Sequence, residues 1–177
     1  MLRAMDSSAL DTFRAFRSSL YDCLHRRADA LFELTDALLT AQAVPSPVHL
    51  SLQPFHRRGW GSLYDALSRG RIDVRALRRL LACHPLAGSE TPVYAVDMSV
   101  WDRCDAETSP ERGFYYHPSR HSAGQPIVAG WAYQFVAQLN FVRESWVVPV
   151  DVERVCPAQD ANEVAAEQMK AFLVRSR

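Results

Sequence analysis

The sequence predicts an α+β chain, with a helical first half followed by three strands and a helix. Two observations predict it. Apolar residues recur at helical spacing up to about residue 84, and beyond Pro92 the period changes to the strict alternation of strands. Between these halves, Pro85-Leu86-Ala87-Gly88-Ser89-Glu90-Thr91-Pro92 has the composition of a boundary. The expected division is a helical domain over 1–88 and a second domain over 93–177.

In the first half, Leu10, Phe13, Phe16, Leu20 and Leu24 mark one helix, with Ser8 and Asp11 as a capping box. Ala28, Leu31, Phe32, Thr35, Leu38 and Leu39 place a second helix with one apolar face, and Val44-Pro45-Ser46-Pro47 ends it. Ser62 to Ser68 reads as a third helix, Arg69-Gly70-Arg71 as a turn, and Asp73 as the N-cap of a helix from Val74 to about Cys83. On that last helix Val74, Leu77, Leu80 and Leu81 share a face. Arg75 and Arg79 lie away from it, with Arg78 at the border.

In the second half, Val93 to Trp101 is rich in β-branched and aromatic residues and reads as a strand. Residues 102–126 read as a long polar loop. Ile127, Ala129, Trp131, Tyr133, Phe135, Ala137 and Leu139 alternate along a second strand, and Trp146, Val148, Val150 and Val152 along a third. Phe141 to Glu144 makes the short connection between them. Pro149 cannot donate to a ladder, so the third strand belongs at a sheet edge. Asp160 and Glu163 then cap a helix whose apolar face is Val164, Ala165, Met169, Phe172 and Leu173.

Composition narrows the function classes. Hydrophobic residues make up 48% and charged residues 23%, an ordinary balance for a globular chain. No apolar run reaches the length of a membrane span and no signal peptide opens the chain, so a cytoplasmic protein is expected. The four cysteines form no C-x-x-C pair and read as small buried thiols rather than a zinc site or disulfide framework. Of the 20 basic residues all but Lys170 are Arg, a bias that a GC-rich genome also produces.

The formal net charge of zero conceals an asymmetry. Residues 1–89 hold twelve Arg against eight acids, and 90–177 hold eight basic residues against twelve acids. The stretch 51–80 is densest, with seven Arg and two Asp. Such a split suits a chain that meets nucleic acid with one half and metal with the other. There is no Walker loop, G-x-S-x-G or Rossmann glycine pattern.

Asp97 is the leading candidate for chemistry. Strand alternation places it with Val93, Ala95, Ser99 and Trp101, an apolar setting in which a lone carboxylate is costly unless paired or metal-bound. The residues alone leave two readings open: a structural aspartate that caps a turn or pairs with Arg, and a metal ligand. Asp102 and Asp105 read as solvated loop residues, and Asp151 as a strand residue. His117 and His121 have the spacing of some zinc sites, but Pro118 and the polar surroundings argue for a loop. Arg112 and Arg120 could line a DNA channel or be merely solvated. Arg71, Arg75, Arg78 and Arg79 could meet DNA phosphates through a helix-turn-helix-like pair or form a solvated face.

The string Tyr94-Ala95-Val96-Asp97-Met98-Ser99-Val100-Trp101, taken with His56-Arg57-Arg58-Gly59, Ser62-Leu63-Tyr64-Asp65-Ala66-Leu67, Gly70-Arg71-Ile72-Asp73 and Gly130-Trp131-Ala132-Tyr133, resembles the N-terminal half of bacterial insertion-sequence transposases of the DDE superfamily endonucleases. The likeness runs from about Phe13 to Leu173. It implies the β-β-β-α start of a ribonuclease-H-like domain, with its third strand at an edge. It also implies metal-dependent DNA cleavage and strand transfer, with Mg²⁺ (or Mn²⁺) held by two aspartates and a glutamate. Asp97 matches the first aspartate. The second aspartate and the glutamate are expected beyond the last helix, so the chain is expected to be a truncated, inactive fragment. Terminal-repeat DNA at the nucleoid is the implied partner, and a homodimer is compatible with it. The alternative from another class is a non-catalytic DNA-binding or dimerising regulator, or a remnant of a transposase.

Overall fold

The computed structural model describes residues 7–85, 91–117, 124–140 and 147–176. The chain forms two compact units, Met1–Leu80 and Leu81–Arg177. It mixes helices with antiparallel sheets, as an α+β chain does.

The first unit contains α1 (Ser7–Asp22), β1 (Leu24–Arg26), α2 (Ala28–Thr40), α3 (Pro47–Ser51), α4 (Trp60–Arg69), β2 (Arg71–Ile72) and most of α5 (Val74–Ala82). Ser8 lies in the first described turn of α1, next to residues outside the described ones. Pro47 opens α3 at its first position, where its missing N–H costs nothing, and the Ser46 hydroxyl accepts from the His49 N–H (3.4 Å). Periodicity did not reveal this five-residue helix, which is too short to show a repeat.

The buried face of α2 differs from the expected one. Ala30, Leu31, Leu34 and Ala37 are buried, whereas Leu38 and Leu39 are 50% and 70% exposed. Small alanines decide this: they let α2 approach its neighbours closely, which a leucine at the same place would prevent. The resulting clusters are Leu24, Ala30, Leu31 and Ala66, and Leu34, Ala37, Leu50 and Leu63.

The unit is not purely helical. Leu24 pairs with Ile72 and Arg26 with Arg71 in a two-stranded antiparallel ladder. Its end is locked by the Asp73 N–H, which donates to the Cys23 carbonyl (2.8 Å). Asp73 caps α5 as expected, its Oδ1 accepting from the Ala76 N–H (2.9 Å). That hydrogen bond is the main cause holding the Asp73 carboxyl below the usual range, helped by the Arg75 N–H and the charges of His25 and Arg75. A depressed carboxyl stabilises the fold above its unfolded value of about 3.9 and loses that contribution as pH falls through the depressed value. Asp73→Ala should therefore lower the urea midpoint at neutral pH. The gap from wild type should close as the titration is carried to low pH.

Among the described residues the second unit is a four-stranded sheet with one helix on it. Its elements are β3 (Val93–Asp102), β4 (Gly113–Tyr116), β5 (Ile127–Leu139), β6 (Val147–Val155) and α6 (Ala161–Arg175). β5 is central, pairing antiparallel with β3 and also with β4 and β6. Gly130 is paired with both Asp102 and Gly113, so β4 and β6 follow one another along the edge of β5 opposite β3. A Cβ at Gly130 would collide with the Trp101 carbonyl oxygen, so the close approach of β3 requires glycine there. β4 corrects the expectation of an unbroken loop over 102–126: only four residues pair, below what alternation reveals.

Among the described residues β6 pairs with β5 alone, which makes it an edge strand, as Pro149 required. Pro149 sits opposite Ala137, beside the register break between Val136 and Ala137. Trp146 and the connection at Phe141 to Glu144 lie outside the described residues. α6 is capped by Asp160, whose Oδ1 accepts from the Asn162 and Glu163 N–H groups (2.7 and 3.2 Å).

The helix covers the sheet face opposite to the one that carries Ile127, Trp131, Tyr133 and Phe135. Val128, Ala132, Gln134, Val136 and Gln138 are buried, while Ile127, Trp131, Tyr133 and Phe135 are not. Ranking by hydrophobicity points to the aromatic face as the core. Close helix-on-sheet packing instead selects the smaller side chains; of the Gln168 amide, Nε2 donates to the Gln134 backbone carbonyl (3.3 Å) while Oε1 is buried without a hydrogen bond. Phe172, Val136, Val150 and Ala82 form the main cluster, with Tyr94 and Val96 packed against it.

Candidate functional site

Because α6 takes the face carrying Tyr94, Val96 and Val100, strand parity sends Asp97 to the other side. Asp97 sits in the middle of β3, opposite Phe135, with the pairs Ala95–Ala137 and Ser99–Tyr133 flanking it on the same face. It is exposed, not buried among apolar neighbours, which corrects the desolvation argument for its role. Its Oδ1 accepts from the next residue's N–H, that of Met98 (2.8 Å). Among the described residues it has no ion pair, so the alternative of an Arg-paired structural aspartate finds no partner here.

The other acidic residues are accounted for differently. Asp105 accepts two hydrogen bonds from the Arg103 guanidinium (2.8 and 2.6 Å), and this holds its carboxyl below the usual range while raising the arginine. Asp151 is buried on the helix-covered face with Arg175 as its ion-pair partner. Among the described residues no three His, Cys, Asp or Glu side chains are grouped to hold a metal ion. A pair of catalytic metals needs several carboxylates, and the donors grouped among the described residues do not fit such a pair. His117 is half-buried, and His121 lies outside the described residues.

The thiols differ from expectation. Only Cys23 is buried, its protonated form favoured by burial and by Asp73 and Asp22; Cys83 and Cys104 are exposed and Cys156 intermediate.

The arginines separate into two groups. Arg17 holds Asp36 through two hydrogen bonds (2.5 and 2.9 Å), Arg58 reaches Glu33 and Asp29 (both 3.3 Å), and Arg69 reaches Asp65 (2.8 Å) alongside Arg27. These hold the helices of the first unit together. Arg71, Arg75 and Arg79 are exposed and make no ion pair among the described residues. Arg75 and Arg79 stand one turn apart on α5, a like-charge pair that weakens an isolated helix slightly. Arg78, at the border of that face, is half-buried and otherwise engaged. Arg112 is half-buried, its Nη1 donating to the Ser109 carbonyl (3.1 Å). Arg120 lies outside the described residues.

Sequence reasoning missed the row of rings beside Asp97. Trp101 and Trp131 meet across β3 and β5 with centroids 5.6 Å apart. The size difference between the two faces of β5 was the available signal, since its odd positions are the bulky ones.

Among the described residues no helix is long and apolar enough to cross a membrane. No curated protein and no solved structure matches the chain. The family model described as DDE superfamily endonuclease matches residues 19–175, most of the chain and both of its units. The chain belongs to the DDE superfamily endonucleases, the family of DDE-type transposases.

Proposed function

We propose that this chain is a portion of a DDE transposase in which Asp97 supplies the first metal-binding carboxylate, and that by itself it does not cut DNA. Members of this superfamily act on DNA and generally use divalent metals. The observation that carries the reading is the position of Asp97: exposed and without an ion pair among the described residues, mid-strand in an antiparallel sheet followed by a helix, the order of main elements expected of a ribonuclease-H-like start. Mg²⁺ or Mn²⁺, held by a full carboxylate set, would supply the activated oxygen for phosphodiester transfer. One aspartate cannot hold such a pair, so the chain's own role is to place Asp97 and to bind DNA. Incubation with Mg²⁺ or Mn²⁺ and DNA bearing the element's terminal repeats should yield neither nicked nor joined product. A product that Asp97→Asn abolishes would overturn the proposed inactivity.

The helical unit is the proposed DNA contact. Arg71, Arg75 and Arg79 are exposed cations whose mutual repulsion a polyanion relieves, whereas Arg78 contributes less. The Arg75→Ala/Arg79→Ala double variant should weaken duplex binding and flatten the slope of log K against log salt by about 2. An unchanged slope overturns that contact. The same observation favours a second reading, in which the chain is a DNA-binding regulator that competes for terminal repeats and self-associates. Binding without cleavage, together with inhibition of an intact transposase in trans, would distinguish it.

A further inference from the structure

The sheet face that carries Asp97 also carries rings that its proposed role does not use. Trp101, Phe114 and Tyr116 are 53%, 60% and 73% exposed. Register places Trp101 opposite Trp131, Phe114 opposite Ala129 and Tyr116 opposite Ile127, so all four rings share one face. Exposed apolar surface in a contiguous row marks a binding site or a covered surface.

Charge narrows the occupant. The Arg103 guanidinium lies 5.5 Å from the Trp101 ring centre and that of Arg112 lies 5.4 Å from Phe114. Arg103 is matched by Asp105, but Arg112 has no acidic partner among the described residues, and its Nε is buried without a hydrogen bond. An apolar protein surface laid over this row would desolvate that cation without compensating it. Flat bases joined by phosphates answer both needs, stacking on rings and meeting the guanidinium. Bases inside a duplex do not offer their faces, so the strand must be unpaired. Asp97 and Trp101 are four residues apart on one strand, about 13 Å. That reach is a few nucleotides from any phosphate held at Asp97.

We propose that this open sheet face is a stacking platform for single-stranded DNA, with Trp101, Trp131, Phe114 and Tyr116 against the bases and Arg112 at the backbone. The inference rests on the proposed DNA function and deepens it by naming the form of the strand beside Asp97.

The test is fluorescence anisotropy of a labelled oligo-dT strand, and separately of a duplex, on the purified chain. Trp101→Leu and Phe114→Leu should each raise the oligo-dT Kd about tenfold. Phe114→Trp should restore tight binding, and duplex affinity and thermal unfolding should stay unchanged. Oligo-dT affinity that both leucine variants leave untouched overturns the platform. So does a dimer that Trp101→Leu dissociates with no change in oligo-dT affinity, which would assign the face to a second copy of the chain. Duplex binding that depends on Arg75 and Arg79, without oligo-dT binding, rejects the platform and leaves the proposed function standing. Oligo-dT binding through the rings with no duplex binding does the reverse for the α5 contact, and binding of neither strand form overturns both.

Discussion

Phe172→Ala should destabilise the sheet-bearing unit by about 3–5 kcal/mol, read as a fall in the urea midpoint at unchanged m value. Phe172 is 1% exposed and is among the largest side chains that the fold buries completely. It packs against Val136, Val150 and Ala82, and meets the Tyr94 ring edge-on at 4.8 Å. Truncation removes the transfer free energy of the ring and leaves a void that sheet and helix cannot both close on. Tyr94 stands on β3 three residues from Asp97, so the same variant loosens the strand that positions the carboxylate. Leu173, one residue on, is 50% exposed, and Leu173→Ala should change the midpoint little. Equal effects at the two positions would mean that α6 does not sit on the sheet with this face.

Arg175→Ala should cost about 3–5 kcal/mol, more than Asp151→Ala. The Asp151 side chain is 1% exposed and that of Arg175 is 21% exposed. Removing the arginine leaves a buried carboxylate on β6 without the guanidinium from the last turn of α6. Removing the aspartate leaves an arginine whose head can turn toward solvent. The asymmetry is the diagnostic feature. A double-mutant cycle should show the two losses to be strongly non-additive. Additive losses would mean that the ion pair adds nothing to the fold.

The sequence allowed much of the architecture to be read because most elements here are long enough to show their own period. Ten residues of β3, thirteen of β5 and fifteen of α6 each carry several repeats, and Asp73 and Asp160 announce their helices by capping chemistry. β1, β2, β4 and α3 are two to five residues long and escape notice, because each is formed by its partner or cap rather than by its own pattern. The candidate site was legible only in part. Asp97 stood out as a charge within a strand and by its family likeness, and Arg75 and Arg79 by their place on the polar side of α5. The ring row was not legible, since alternation put Trp131, Tyr133 and Phe135 on one face without saying which face a helix would cover.

By itself, then, the sequence determined the order of the main elements, the edge position of β6, the strand that bears Asp97 and the family to which the chain belongs. These depend on local backbone preferences and on residues close along the chain. The tertiary structure decided which face of the sheet α6 covers. That choice depends on how the Val164, Gln168 and Phe172 face of α6 fits against Ala132, Gln134 and Val136, a matter of fit that ranking by hydrophobicity does not contain. It is this choice that leaves Asp97 and the aromatic row together on the open side.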